Sequence, residues 1–178
     1  ICTSRTFGEE VQHFSQLAQA LSTYAAMCGT KLREQGSCAR IITIFILTNS
    51  FKHQYRANYK GIKTVRLTTP TNDSLEIVSA SIMALRSIYR SNCIYKKAGV
   101  IVSGIVAHSQ VQLSFFDDIV DIEKRHNLMQ AIDAINDNCG RMKDRFAVNG
   151  FERTWKLRQE RLSPCYTTRI NELLSVGA

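Results

Sequence analysis

The sequence predicts an α+β fold with four strands and two helices in the order βαββαβ, followed by a mainly helical extension. Two long segments repeat apolar residues every three or four positions, as amphipathic helices do. Four shorter segments are rich in β-branched residues or alternate in polarity, as strands do. This order favours an antiparallel four-stranded sheet with both helices on one face, which leaves the other face free to meet a partner.

The first half of the pattern gives a strand, a helix and an inner strand. Residues 1–7 are predicted to be the first strand and residues 9–35 the first helix. Glu9 and Glu10 are expected in the first turn of this helix, where the helix dipole favours acidic side chains. Residues 39–48 are apolar on both faces at their centre, which indicates a strand with neighbours on both sides.

The second half gives a strand, a helix and a closing strand. Residues 49–60 are polar and are predicted to form a connector before a third strand over 62–67. A second amphipathic helix is predicted over 75–88, with Asp73 among several N-cap candidates in front of it. The fourth strand is predicted over 95–102.

The pattern divides the chain into three parts. These are a sheet domain over 1–107, a connector over 108–118 and an extension over 119–178. Apolar residues at helical spacing open the extension and stop near Gly140. In the rest of the extension, 141–178, basic residues alternate with acidic ones, and this segment contains the only Trp of the sequence.

Composition excludes several classes of protein. The chain has 178 residues, of which 44% are hydrophobic, enough for one core and an appendage. Its longest apolar run, over 41–47, is far shorter than the roughly 18 residues that a membrane span needs. The six Cys and four His residues show no metal-ligand spacing, so we expect mostly buried, reduced thiols, no cofactor and a soluble cytoplasmic protein. Ile1 in place of Met indicates an excised fragment.

Positive charge is concentrated in the sheet domain. Residues 1–107 contain 13 Lys and Arg against 5 Asp and Glu, whereas residues 108–178 contain 10 of each, so the whole net charge of +8 lies in the first part. A basic domain of this kind favours a polyanion partner, with nucleic acid the first candidate. The alternative is a basic surface that is only solvated.

A pentapeptide in the connector, Gln112-Leu113-Ser114-Phe115-Phe116, combines a Gln with bulky apolar anchors. Leu and Phe each contribute roughly 1.5–3 kcal/mol when fully buried, so this segment suits a partner's pocket, unless it packs on its own domain. It is similar to the Gln-Leu-x-Leu-Phe peptide by which bacterial DNA polymerases and repair proteins bind the sliding β-clamp. Phe115 stands where that motif usually has Leu.

The strands and the tail resemble the C-terminal region of one polymerase family. Residues 96–105, with basic residues, then Gly-Val, then Ser two positions later, resemble the last strand of the little-finger domain of Y-family translesion DNA polymerases. Residues 3–8 resemble its first strand. The runs 155–158, 160–164 and 166–169 are similar to the C-terminal extension of the UmuC-like branch, the polymerase V type.

This resemblance implies that the sheet domain grips primer-template DNA. Basic and hydroxyl side chains can contact phosphates without reading bases, which suits damaged templates. The predicted DNA contacts are Ser4, Arg5, Thr6, Thr64, Arg66, Lys96 and Lys97. Arg5, Thr64, Arg66 and Lys97 are expected on one sheet face, whereas strand alternation points Lys96 and Lys97 to opposite faces.

The resemblance also implies partners and limits. The partners are the β sliding clamp, at residues 112–116, and a UmuD-type subunit or the RecA filament, at the extension. Family catalysis uses palm carboxylates with two metal ions, so this fragment is expected to be inert, with Mg²⁺ in the palm of a parent polymerase of the SOS response. One alternative is an RNA-binding or adaptor module, although such modules usually display stacking aromatics where strands 3 and 4 carry Thr, Lys and Arg. Another is a small Cys-dependent enzyme.

Overall fold

A computed structural model describes residues 1–48, 58–112, 119–140, 146–150, 155 and 162–173. The strands are β1 (Cys2–Val11), β2 (Ser37–Thr48), β3 (Lys60–Thr71) and β4 (Tyr95–Ala107), and the helices are α1 (Phe14–Glu34), α2 (Ser74–Ile88) and α3 (Ile119–Cys139). The strands form one antiparallel sheet in the order β1-β4-β2-β3. The predicted α+β class, the βαββαβ order and the inner position of the second strand are therefore confirmed.

Both α1 and α2 pack on one face of the sheet, as predicted. Ile42, Ile44 and Ile46 on β2 are at most 1% exposed and belong to one core with the buried side chains of both helices. Full burial of each such side chain contributes roughly 1.5–3 kcal/mol, so this shared core is the main source of stability. Gly29 lets the helices approach closely, because a Cβ there would collide with Oγ of Ser74.

Asp73 sets the start of α2. Of the several N-cap candidates, its side chain is the one that accepts a hydrogen bond from the backbone N–H of Leu75, at 2.7 Å. The cap satisfies a donor that the helix itself leaves unpaired.

The prediction for the start of α1 is wrong. β1 runs on past Gly8, and α1 begins at Phe14 with no acidic residue in its first turn. Glu9 and Glu10 are therefore strand residues and not helix-start charges. Val11 lies three positions before Phe14, so sequence spacing alone assigns it to the helix.

All four strands are longer than predicted, and β2 begins two residues early, at Ser37. The pairing of β1 with β4 shifts register between Thr6 and Val11, and this irregularity brings Val11 into the core at 1% exposure. β3 begins at Lys60, which the sequence placed in the connector, and includes Pro70. Proline is tolerated there because β3 is an edge strand. β4 continues to Ala107, where a short 3₁₀ turn (His108–Gln110) follows.

The extension begins with α3, which ends at Cys139 before Gly140, close to the predicted stop. Its later described residues include two 3₁₀ turns, Ala147–Asn149 and Ile170–Glu172. Residues 49–57 of the predicted connector lie outside the described residues. No helix in the described part of the chain has the length and apolar character needed to cross a membrane.

Candidate nucleic-acid interface

One face of the sheet is covered by none of the described helices, and we call it the open face. Ile42, Ile44 and Ile46 point toward the helices, so the alternate residues of β2 point the other way. The strand register extends this assignment across the sheet. The rows of the open face are Thr6–Lys97–Leu47–Lys60, Ser4–Gly99–Phe45–Ile62, Cys2–Ile101–Thr43–Thr64 and Ser103–Ile41–Arg66.

Most of the predicted DNA contacts lie on the open face. They are Ser4, Thr6, Thr64, Arg66 and Lys97. At the centre of the face, the hydroxyls of Thr43 and Thr64 are hydrogen-bonded across β2 and β3, 2.9 Å apart. This bond fixes the direction of two side chains that can also meet a phosphate.

Arg5 does not lie on the open face, contrary to our expectation. It pairs with the fully buried Ala98, so its side chain leaves the sheet on the helix side of edge strand β1. Its guanidinium donates to the carbonyl of Ser4 at 3.2 Å. Burial raises the pKa of the Tyr24 phenol well above its ordinary value, and the nearby charge of Arg5 opposes that shift. Consecutive strand residues such as Ser4 and Arg5 cannot share a face.

The ammonium group of Lys96 is hydrogen-bonded within the sheet domain. It donates to the carbonyl of Phe7 at 2.9 Å. The pairing of β2 with β4 shifts register between Leu47 and Thr48, where two residues of β4 oppose one of β2. Lys97, next to this irregularity, stays on the open face.

Lys60 is an exposed cation on the open face that was not among the predicted DNA contacts. It pairs with Leu47 and therefore lies in the same row as Lys97. β3 starts two residues earlier than predicted. Because alternate residues of a strand share a face, Lys60 lies on the same face as Ile62 and Thr64, and this spacing could have revealed it from the sequence.

Phe45 is an aromatic residue of the open face that sequence analysis also missed. Its ring lies against Gly99, because a Cβ on Gly99 would be 2.5 Å from Cζ of Phe45 and 2.5 Å from Cβ of Ser4. The absence of a Cβ at Gly99 thus lets the Phe45 ring approach the backbone of β4 closely. Alternation from Ile44 and Ile46 was enough to place Phe45 on this face.

Two cations of the open face, Lys97 and Arg66, lie far apart. Lys97 and Ser103 are six residues apart on β4, about 20 Å at the usual rise, and Arg66 lies two strands beyond Ser103, about 10 Å to the side. This separation exceeds the roughly 12 Å width of the DNA major groove. Lys97 and Arg66 can therefore contact different phosphates on the two sides of a groove.

The clamp-like peptide is described only at its first residue. Gln112 is exposed, and residues 113–116 lie outside the described residues. The turn before it is anchored, because the backbone N–H of His108 donates to the carbonyl of Gly36 at 2.9 Å. The ring of His108 also stacks on His126 of α3, with centroids 5.2 Å apart.

A Cys–His pair is present but poorly suited to catalysis. Sγ of Cys38 lies 3.4 Å from Nδ1 of His108. Burial raises the pKa of the Cys38 thiol to about 11, so the thiol is neutral at pH 7 and a weak nucleophile. All six cysteines are free and three are exposed, more than expected. Within the described residues, no group of three or more His, Cys, Asp or Glu is placed to hold a metal ion.

Two sequence families match the chain. The impB/mucB/samB family C-terminal domain matches residues 1–115, and a domain of unknown function, DUF4113, matches residues 126–176. Protein UmuC of Salmonella typhimurium is 36% identical over 176 residues, which cover 99% of this chain and 42% of UmuC. Protein MucB of Escherichia coli is 33% identical over 168 residues, which cover 94% of this chain and 39% of MucB. The chain thus spans about two fifths of the length of these relatives.

Two solved structures are similar in part. The insertion ternary complex of Dbh DNA polymerase matches 60% of this chain and 29% of that one, with a TM-score of 0.43 and 12% identity. The complex of the beta-clamp processivity factor and the little finger domain of PolIV matches 66% of this chain and 98% of that one, with a TM-score of 0.42 and 12% identity.

Proposed function

Residues 1–115 match the C-terminal domain of the impB/mucB/samB family, so this chain belongs to that family, and we propose that it is the DNA-gripping and clamp-tethering portion of a UmuC-type translesion DNA polymerase. The sheet domain, 1–107, holds primer-template DNA, and the connector, 108–118, binds the sliding β-clamp. The extension, 119–178, meets a UmuD-type subunit or the RecA filament. The parent enzyme is error-prone and acts in DNA repair and the SOS response, at the nucleoid in the bacterial cytoplasm.

The charge pattern of the open face carries this proposal. Its four rows contain three cations, Lys60, Arg66 and Lys97, and no carboxylate. Hydroxyl side chains lie between them. Such a face attracts phosphates through charge and hydrogen bonds while it reads no sequence.

The test compares two triple variants that remove the same charge from opposite faces. The first is Lys60→Ala/Arg66→Ala/Lys97→Ala, on the open face. The second is Arg5→Ala/Lys63→Ala/Lys96→Ala, in which Arg5 and Lys63 pair with the buried residues Ala98 and Ile44 on the helix side. Fluorescence anisotropy of labelled primer-template DNA is measured from about 50 to 200 mM salt.

Each phosphate contact contributes about −0.9 to the slope of log K against log salt, so the open-face triple is expected to flatten the slope by about 2.7. The helix-side triple is expected to change the slope by less than about 0.9, the contribution of one phosphate contact. Equal effects of the two triples, or a larger effect of the helix-side triple, contradict the proposed interface. Preferential binding of a matched single-stranded RNA favours the RNA-binding alternative, to which Phe45 on the open face lends support.

Clamp binding is tested with Leu113→Ala/Phe116→Ala and, as the control, Ser114→Ala at the variable position of the motif. Micromolar binding corresponds to roughly 8 kcal/mol. The double substitution removes roughly 3–6 kcal/mol of apolar burial, so titration with clamp should show no binding while the melting curve is unchanged. A lowered melting temperature, with no clamp binding in the wild type, supports a loop that packs on its own domain.

We also propose that this chain by itself is not an enzyme and holds no cofactor. Several described carboxylates have structural partners: Asp73 caps α2, Asp133 pairs with Arg33, and Glu172 pairs with Arg169. Mg²⁺ belongs to the palm of the parent polymerase, where it activates the primer hydroxyl. Primer extension by this chain with Mg²⁺ and all four nucleotides, after removal of contaminating polymerase, contradicts the proposal.

A further inference from the structure

The extension contacts the helix layer first through a shielded ion pair. Nε and Nη2 of Arg33, near the end of α1, lie 2.6 and 2.8 Å from the two carboxylate oxygens of Asp133 on α3. The Arg33 side chain is 8% exposed and also donates to the carbonyl of Asn72 and the hydroxyl of Ser74. A bidentate ion pair of this kind fixes the relative orientation of the two side chains as well as pairing their charges. Arg33 therefore links α1, the start of α2 and α3.

A second cation joins α3 to α2. Nε of Arg125 lies 2.7 Å from Asp73, and its Nη1 lies 3.0 Å from Glu76. The carboxylate of Asp73 thus caps α2 with one oxygen and holds α3 with the other. The start of α2 and the docking of α3 depend on the same side chain.

The third contact lies beyond α3, on the first half of α1. The hydroxyl of Ser22 donates to the carbonyl of Val148 at 3.3 Å. Gly150, at φ +63°, lies against Gln19, where an added Cβ would be 2.7 Å from the amide carbon. Trp155 is 5% exposed and packs edge-on against Tyr24, with ring centroids 5.6 Å apart.

The contacts on α1 run from Gln19 to Arg33, about 21 Å of helix at 1.5 Å per residue. Trp155 belongs to the same core cluster as the buried strand residues, and Phe146 packs against that cluster. Met129 of α3 is 1% exposed. The extension therefore contributes side chains to the core of the sheet domain.

We propose that the first part of the extension, represented by residues 119–140, 146–150 and Trp155, is a brace that folds with the sheet domain as one cooperative unit. This assigns a role to much of the segment that matches a domain of unknown function. Most of the stability of a helix in a protein comes from packing against its neighbours, and docking on α1 and α2 supplies this packing to α3. Because the brace covers this part of α1 and the start of α2, a partner of the extension cannot bind the surface of the helix layer that lies beneath the brace.

Hydrogen exchange of the full chain tests the brace, with each variant matched to a control. Asp133→Ala is compared with Asp137→Ala, an exposed Asp one turn further along α3. Trp155→Ala is compared with Trp155→Phe, which keeps an aromatic ring and removes an Nε1 that has no partner in the described part of the chain. The readout is exchange of the slow amides of α1 and β2, in the sheet domain.

Asp133→Ala and Trp155→Ala are expected to speed exchange of these amides by about tenfold or more, and the two controls by less than about twofold. Faster exchange in 119–173 with α1 and β2 unchanged shows a separate module and overturns the proposal. No change anywhere overturns it as well. If Asp133→Ala does not yield soluble protein while Asp137→Ala does, that difference supports the brace, and the Trp155 pair decides independently.

Discussion

The open face of the sheet and the outer face of the helix layer share one core but balance their charges in opposite ways. The three cations of the open-face rows have no carboxylate beside them on that face. On the helix layer, Arg33 is paired with Asp133, and Arg125 with Asp73 and Glu76. The open face therefore offers a polyanion positive charge that no carboxylate of that face compensates, whereas Arg33 and Arg125 on the helix layer are already paired. The net charge of +8 does not measure this uncompensated charge.

The largest effect is expected on the helix layer, at Asp73. Asp73→Ala removes the cap of α2 and one partner of Arg125, and we expect a loss of up to about 3 kcal/mol of unfolding free energy. Asp73→Asn keeps a cap acceptor and loses the charge pair, so it should cost about half as much. Urea denaturation of the wild type and both variants measures these losses of unfolding free energy. Equal costs for the two show that the cap contributes nothing, and no cost for either shows that α3 is not held there.

An intermediate effect is expected in alkali, at Cys38. Burial raises the pKa of this thiol from the ordinary 9.0 to about 11, so the folded state holds the proton more tightly than the unfolded state. The corresponding stability is fully present below pH 9 and is lost as the pH rises toward 11. Two pKa units correspond to roughly 2–3 kcal/mol.

Cys38→Ala should therefore flatten the fall of unfolding free energy between pH 9 and 11. Cys2→Ala, at an exposed thiol of the open face, is the control and should leave the curve unchanged. Because burial also raises the pKa of the Cys28 thiol, and that of Tyr95 to about 12, some alkaline loss should persist in both variants. If the unfolding free energy of Cys38→Ala falls between pH 9 and 11 as steeply as that of the wild type, the loss does not come from Cys38.

A smaller effect is expected on the open face, at Gly99. A Cβ there meets Phe45 and Ser4 at 2.5 Å, so Gly99→Ala should cost about 1–3 kcal/mol through overpacking. In a Phe45→Ala background the cost should fall, because the ring has gone. Thermal denaturation of the four proteins gives this coupling. Additive costs of the two substitutions contradict the close contact between the Phe45 ring and Gly99.

Sequence predicted the elements better than their edges and faces. The βαββαβ order follows from local periodicity, which every residue of an element shares. The start of α1 does not, because Val11 belongs to β1 only through its pairing with β4. Lys60 was missed for the same reason, since the length of β3 depends on its partner β2.

The candidate site was predictable as a set of residue types but not as an arrangement. Strand alternation already separates Arg5 from Ser4, yet choosing which of them is on the open face requires knowing where the helices pack. The ion pair of Arg33 with Asp133 joins residues 100 positions apart, and no local pattern reveals such a pair. The shared core of the extension and the sheet domain was missed for the same reason.

Alkylation of the native thiols tests the contrast between the two surfaces most directly. Cys2 is an exposed thiol on the open face, in the row of Thr43 and Thr64, whereas Cys139 and Cys165 are exposed thiols of the extension. The rate at each thiol is read by mass spectrometry, with and without saturating primer-template DNA at low salt. The account predicts that DNA slows alkylation of Cys2 by about fivefold or more, through phosphate contacts around it, and leaves Cys139 and Cys165 unchanged. Protection of the extension thiols with Cys2 unaffected contradicts it.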